Sequence, residues 1–282
     1  MKPNFETTRP RLRPTPPLIA LGLFAYGAST YLAFHLYRLH SLPTPPPEIS
    51  DPKHQKTTAE ISTPEVYSKI ADSYDDDVGW DEWFLGMDRR RRNVVQQLKG
   101  SVIETAAGTG RNLRFFAETN PSDMTSITLT DASPQMLQRA FETYKTYSKD
   151  LPPVTFSLLN ISHSDVSPPA IQYSKFDTVF QTFGLCSMQD PSTSLEAMKQ
   201  LCKPDGRIIL LEHGRSLHSL GFLSDWINGA LDKTAQGHAD RWGCWWNRDL
   251  ERVVRGIEGV EVLSVKRFHL GTTLEIVLKR TG

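Results

Sequence analysis

The stretch that decides the fold runs Ser101-Val102-Ile103-Glu104-Thr105-Ala106-Ala107-Gly108-Thr109-Gly110-Arg111-Asn112. Its first residues predict a buried strand that ends at Glu104, and its small residues predict a tight turn that leads into a helix from Arg111. Small residues let a ligand approach the backbone, and free N–H groups at a helix start favour electron-rich ligand atoms. This strand, turn and helix indicate the nucleotide-binding corner of an open α/β sheet.

A second acidic residue follows the next predicted strand. Residues 126–130 are rich in β-branched side chains, and Asp131 stands at their carboxyl end. Ser133 and Pro134 then supply an N-cap and a first helical residue. An acid about 20 residues after the glycines is positioned to accept hydrogen bonds from a ribose. The alternative is a helix cap or a solvated acid.

The spacing of the glycines separates two classes of cofactor. A dinucleotide fingerprint needs a third small residue at position 113, where this chain has Leu. Instead an acid precedes the glycines, as in the acidic-x-Gly-x-Gly-x-Gly pattern of class I S-adenosylmethionine (SAM) methyltransferases. The chain departs from that pattern once, because Ala106 replaces the first glycine.

Residues 63–282 resemble class I SAM-dependent methyltransferases near the ubiquinone/menaquinone C-methyltransferase group. Further stretches resemble the membrane-anchored methyltransferase-like proteins of fungal mitochondria: Tyr74-Asp75, 80–84, 89–92, 182–187 and 242–249. The resemblance implies SAM as the cofactor, methyl transfer as the activity and the mitochondrial inner membrane as the location. The endoplasmic reticulum membrane remains the alternative location.

The remaining elements complete an α/β architecture. Further strands are predicted at 154–159, 176–181 and 207–212, and helices at 81–98, 111–118, 134–147 and 191–202. Two strand-like runs, 259–268 and 272–279, are joined by a short turn and predict an antiparallel hairpin. We therefore expect the seven-stranded, Rossmann-like methyltransferase sheet with a C-terminal antiparallel hairpin, preceded by one transmembrane helix.

The amino-terminal region predicts that anchor. Residues 18–37 carry no Asp, Glu, Lys or Arg and, as a helix, would span roughly 30 Å. A cleaved signal peptide is the alternative, but the apolar stretch runs past its small residues and ends at Arg38. The expected organisation is a basic leader at 1–17, a transmembrane helix at 18–37, a proline-rich linker at 38–61 and a methyltransferase domain at 62–282.

Nine residues are expected to bind SAM, and one to act on the acceptor. The cofactor set is Tyr74, Glu104, Ala106, Gly108, Gly110, Asp131, Met136, Asn160 and Gln181. His213, after the fifth strand, could act as a general base, although a structural role is the alternative. Tyr74 and Met136 could equally be core residues. The run Arg89–Arg92 is expected to be a solvated helix face, with anionic lipid contact as the alternative.

Four of the six tryptophans fall in one segment before the sixth strand: Trp226, Trp242, Trp245 and Trp246. They predict a lid over a small or lipid-like acceptor, with membrane contact or a small subcore as alternatives. The three cysteines lack zinc spacing, so no metal site is predicted, and the balanced charge argues against nucleic-acid binding. The rival to an enzyme is a SAM-binding assembly or scaffolding factor with little catalysis.

Overall fold

The structure is a computed structural model that describes residues 16–42, 63–119, 123–162, 175–216 and 221–282. The chain divides into two compact units, residues 1–44 and 45–282. Residues 1–15 of the predicted leader and the linker beyond residue 42 lie outside the described residues.

The first unit contains one described helix, α1 (Pro16–Ser41). This helix covers the predicted apolar stretch, and its large apolar side chains are exposed, including Leu21, Leu23 and Phe24. Across the described ranges, no helix combines the length and the apolar character that crossing a bilayer requires. The helical conformation is confirmed, and the membrane-spanning role stays a prediction.

Eight helices are described in the second unit, and three of them begin at a side-chain cap. They are α2 (Thr63–Ile70), α3 (Tyr74–Phe84), α4 (Met87–Val95), α5 (Leu113–Ala117), α6 (Pro134–Tyr147), α7 (Pro191–Leu201), α8 (Phe222–Trp242) and α9 (Leu250–Arg255). Ser133 accepts a hydrogen bond from the Met136 N–H and caps α6, while Asp190 accepts from the Ser192 N–H and caps α7. Proline is the first residue of both helices, where its missing N–H costs nothing.

Seven strands of the described chain form one sheet in the order β3-β2-β1-β4-β5-β7-β6. The strands are β1 (Gly100–Glu104), β2 (Met124–Asp131), β3 (Val154–Leu158), β4 (Phe176–Thr182), β5 (Cys202–His213), β6 (Val260–Phe268) and β7 (Thr273–Arg280). The first five strands are parallel, and β7 pairs antiparallel with β5 and β6. The predicted seven-stranded sheet and its C-terminal hairpin are confirmed.

Both faces of the central strands are buried. Val179 and Ile208 belong to one apolar cluster, whereas their chain neighbours Phe180 and Ile209 belong to another. Successive side chains of a strand point to opposite faces, so this alternation gives a helix-covered sheet an apolar core on each side. The polar ends of the strands are left to form the site.

Two predicted helix boundaries were wrong. The helix expected at 81–98 is divided into α3 and α4 by Gly86, which adopts a left-handed φ of 65°. Glycine adopts this conformation without a Cβ penalty, so the chain turns there instead of continuing. Cys202, expected on a helix, begins β5 instead and pairs with Phe176.

Candidate functional site

A cavity of about 610 Å³ opens at the carboxyl ends of β1, β2 and β4. In the sheet β1 lies between β2 and β4. The strand order reverses at this point, and a crevice forms there at the carboxyl ends of the strands. Six of the residues predicted to bind the cofactor line this cavity: Tyr74, Ala106, Gly108, Asp131, Met136 and Asn160. The volume is that of a small-molecule site.

The turn after β1 uses left-handed backbone conformations at three positions. Ala106, Gly108 and Gly110 have φ values of 55°, 57° and 78°. A Cβ at Gly108 would meet no atom within 4 Å, so open space lies above its backbone. A Cβ at Gly110 would lie 2.6 Å from Leu113 Cδ1, so this glycine permits close packing of the turn. Ala106 adopts the left-handed conformation despite its methyl group, at a cost of about 1 kcal/mol or more.

Asp131 holds this turn against the start of α6. Its Oδ2 accepts a hydrogen bond from the Gly108 N–H at 2.8 Å, and its Oδ1 accepts from the Ser133 N–H at 2.8 Å. Burial raises the pKa of the carboxyl, and backbone hydrogen bonds from Ser133 and Gly108 oppose that rise. Each carboxylate oxygen can accept a second hydrogen bond, so the group could also bind ligand hydroxyls in the cavity.

Glu104 lies behind the cavity wall rather than in its lining. Its Oε1 accepts from the Asn112 amide at 2.6 Å, and burial raises its pKa from 4.5 to about 8. Its Oε2 is buried with no hydrogen-bond partner among the described residues. A carboxyl group in this environment holds its proton near neutral pH.

Arg91 is a cavity residue that the sequence analysis missed. It is buried, and its Nη1 donates to Thr182 Oγ1 at 2.7 Å and to Asn112 Oδ1 at 3.2 Å. Its guanidinium also lies 4.9 Å from the centre of the Phe183 ring. The interpretation of Arg89–Arg92 as a solvated face was therefore wrong at this position. Helical spacing in the sequence could have revealed this burial, because residue 91 falls on the same face of α4 as the apolar residues Met87 and Val94.

Gln181 and Asn160, both predicted to contact the cofactor, differ in their surroundings. Gln181 lies outside the cavity lining, and neither polar atom of its buried amide has a hydrogen-bond partner among the described residues. Thr182, the next residue on β4, faces the cavity instead. Asn160 lines the cavity, and its Oδ1 accepts from the Ser162 N–H at 3.0 Å. That oxygen retains a second lone pair for a ligand.

A second cavity of about 350 Å³ adjoins the first. Tyr67, Tyr74 and Phe183 line both cavities and form the wall between them. The rest of the second lining is mainly apolar: Val78, Leu85, Met87, Leu231, Trp242 and Trp246. His213 lines this cavity, and its ring stacks on Phe183 at 4.5 Å between centroids. The predicted base thus lies on the far side of the aromatic wall from Asp131.

The tryptophans of the predicted lid have different surroundings. Trp242 and Trp246 line the second cavity, whereas Trp245 lines the first. Trp226 is 55% exposed on α8 and lines neither cavity. Position along the segment therefore decides which of the two cavities a tryptophan lines.

Comparisons with known proteins agree with this geometry. Residues 103–208 match a family model described as a methyltransferase domain. The chain is 34% identical over 229 residues to the mitochondrial methyltransferase OMS1 of Saccharomyces cerevisiae, covering 78% of this chain and 46% of that protein. It is 30% identical over 150 residues to the ubiquinone/menaquinone biosynthesis C-methyltransferase UbiE of Bordetella avium, covering 53% of this chain and 52% of that protein. The chain thus spans about half the length of each relative.

Solved structures show the same fold at low identity. A chain from the complex between the Haloferax volcanii Trm112 methyltransferase activator and a methyltransferase aligns with a TM-score of 0.57 and 15% identity, covering 78% of this chain and 98% of that one. A Bacillus halodurans protein described as a methyltransferase aligns with a TM-score of 0.54 and 11% identity, covering 70% of this chain and 100% of that one.

The strand order, the cavity at the glycine turn and the matched family model lead to one conclusion. This chain has the fold of methyltransferases and matches their family model over residues 103–208.

Proposed function

We propose that this protein transfers the methyl group of SAM to a small apolar or amphipathic acceptor, and that α1 attaches it to a membrane. The single observation that carries the proposal is the pair of adjoining cavities with a shared aromatic wall. One cavity is polar at the glycine turn, and the other is lined mainly by apolar side chains. This division fits a polar cofactor on one side and an apolar acceptor on the other.

The residues of the first cavity suit the parts of SAM. Asp131 would accept hydrogen bonds from the ribose hydroxyls, and the open space above Gly108 would admit the cofactor close to the backbone. Met136 would pack on the adenine, and Asn160 would accept from its amino group. Bound SAM supplies a methyl group already activated on a sulfonium sulfur, so the protein's main task is alignment and exclusion of water.

The second cavity would select the acceptor. Its apolar lining favours an apolar molecule, because burial of apolar surface contributes about 25 cal/mol of binding free energy for each Å² removed from water. His213 is the candidate to remove a proton from the acceptor, since it lies in this lining and not in that of the first cavity. Helix α8 contributes Leu231 and Trp242 to the cavity wall, so it would act as a lid against water.

Two features support attachment to a membrane. Large apolar side chains of α1 are exposed, and a continuous exposed apolar surface in a folded protein is a site of contact with lipid or protein. The yeast relative is described as mitochondrial, which favours a mitochondrial location, and we propose the inner membrane as the site of attachment. Membrane attachment would place the acceptor cavity near a source of lipid-like molecules.

The decisive experiment measures binding and transfer separately. Full-length protein is titrated calorimetrically with SAM and with its demethylated product, then incubated with methyl-labelled SAM and a total lipid extract of mitochondria. We expect both ligands to bind and the label to enter a solvent-extractable product. Binding without transfer to extracted lipids or to soluble metabolites would favour the assembly-factor alternative. Absence of binding would contradict both functions.

Attachment is tested by carbonate extraction of membranes from cells that express the full chain. We expect the protein in the pellet and a variant lacking residues 1–42 in the supernatant. Recovery of the full chain in the supernatant would refute integral attachment.

A further inference from the structure

Two cysteines and a histidine that are distant in sequence converge beside the second cavity. The Sγ atoms of Cys186 and Cys244 lie 3.1 Å apart, and Cys244 Sγ lies 3.7 Å from His213 Nδ1. All three ligand atoms lie within 4.8 Å of one another. Two soft sulfur ligands and one imidazole are the donor set that zinc prefers in proteins.

Separate backbone contacts hold the three residues in place. The Glu212 carboxylate accepts from the N–H groups of Gly184 and Cys186, which fixes the turn that carries Cys186. The Trp245 N–H donates to the Cys186 carbonyl at 3.0 Å, which fixes the segment that carries Cys244. His213 is the last residue of β5 and pairs with Thr273. The donor atoms are therefore gathered by the fold itself.

The separation of the sulfur atoms fits a metal after a small adjustment. At 3.1 Å they are too far apart for a disulfide, whose bond is about 2.05 Å. A tetrahedral zinc ion with bonds of about 2.3 Å holds two sulfur atoms roughly 3.8 Å apart. The two sulfur atoms therefore need to separate by less than about 1 Å. Two thiolates would also balance the charge of a divalent ion, which a buried site requires.

We propose that Cys186, Cys244 and His213 bind one zinc ion between the turn after β4, the end of β5 and the segment after α8. The ion joins three segments that border the acceptor cavity. Cys244 and His213 line that cavity, so a water molecule reaches the fourth coordination position from it. Three protein ligands with one open position are the arrangement of zinc sites that are accessible to small molecules.

A zinc ion at this site would make His213 a metal ligand instead of the base that removes a proton from the acceptor. A histidine that binds zinc through Nδ1 is unable to accept a proton on that atom, so zinc binding and a base at Nδ1 exclude each other. The two roles differ in their need for Cys244, because a base requires no thiolate. Metal binding is measured without SAM or an acceptor, so its failure is distinguishable from failure of the proposed methyl transfer.

The test uses full-length protein purified without chelator and analysed for metal by mass spectrometry. We expect about one zinc ion per chain, and a thiolate-to-metal charge-transfer band after replacement by Co²⁺. Cys244→Ser and His213→Gln should weaken zinc binding by on the order of 100-fold in competition with a chromophoric chelator. Cys202→Ser is the matched control, because Cys202 is also buried but its Sγ contacts the Arg207 carbonyl outside the cluster.

Three results would overturn the proposal. The first is metal-free wild-type protein that also fails to bind added Zn²⁺ or Co²⁺. The second is equal zinc binding by folded Cys244→Ser and Cys202→Ser proteins. The third is a Cys186–Cys244 disulfide in protein kept under inert gas. If Cys244→Ser fails to fold, the Co²⁺ spectrum of the wild type and the binding by His213→Gln still decide the question.

Discussion

Replacement of Asp131 by Ala removes a carboxylate with two tasks. It accepts hydrogen bonds from the N–H groups of Gly108 and Ser133, and it lines the cavity at the glycine turn. We expect the substitution to lower both the free energy of unfolding and the affinity for SAM. These two losses have different causes and can be measured separately.

The magnitudes follow from the hydrogen bonds. Each buried N–H left without an acceptor costs about 1–3 kcal/mol. Burial raises the pKa of Asp131, so removing the charge recovers part of that cost. We expect a net destabilisation of about 2–4 kcal/mol. A charge-assisted hydrogen bond to a ribose hydroxyl contributes about 1.5–3 kcal/mol. Loss of even one such bond weakens SAM binding by about tenfold or more.

The matched control is Asp177→Ala. Asp177 also accepts from a backbone N–H, that of Ser101 at 2.9 Å, but it lies near the amino end of β4 and lines neither cavity. Urea unfolding should show a loss of stability in both variants, whereas calorimetric titration should show weaker SAM binding only for Asp131→Ala. A folded Asp131→Ala protein with wild-type affinity would refute the ribose assignment. Equal losses of affinity in the two variants would show that the effect is indirect.

Gly184→Ala should destabilise the domain by about 1–3 kcal/mol in urea unfolding, because the new Cβ would lie 2.6 Å from Gln181 Nε2. Gly108→Ala should cost about 1 kcal/mol through its left-handed φ of 57° and should in addition weaken SAM binding, since its Cβ would enter open cavity space. Unchanged SAM affinity in a folded Gly108→Ala protein would contradict this assignment. Trp242→Ala should reduce methyl transfer to the extracted acceptor by about tenfold or more without changing the Kd for SAM. The control, Trp226→Ala on the exposed side of the same helix, should change neither the transfer rate nor the Kd. Equal effects of the two variants on transfer would exclude Trp242 from the acceptor wall. Burial raises the pKa of Glu104 from 4.5 to about 8, so the stability that its bound proton contributes is complete below about pH 4.5 and is lost as pH rises towards 8. Glu104→Gln should flatten this part of the pH dependence of the unfolding free energy, and an unchanged profile would contradict the buried protonated carboxyl.

Local chemistry accounts for the parts of the fold that the sequence predicts well. The strand before Glu104, the glycine turn, the Ser133 cap and the terminal hairpin each depend on residues within a few positions of one another. Glycine lacks a Cβ, so Gly108 and Gly110 can adopt left-handed conformations. Proline has a fixed φ that suits the first position of a helix, as at the start of α6. The glycine turn and the position of Asp131 beside it could therefore be predicted in outline from the sequence.

The surroundings of Arg91 and of the tryptophans depended on tertiary structure. The sequence placed Arg91 in a charged run, but rotation of α4 against the sheet buries it beside Thr182. It also treated Trp242 and Trp245 as equivalent, although they line different cavities.

The same holds for the cluster of Cys186, His213 and Cys244. No spacing motif in the sequence links these residues. Their sulfur and nitrogen atoms lie close together because the fold brings the end of β5, the turn after β4 and the segment after α8 next to one another. Short-range backbone preferences thus determine which elements form, whereas the packing of distant elements decides which side chains face each other. Contacts between residues far apart in sequence carry no local signature, because they arise only after the intervening chain has folded.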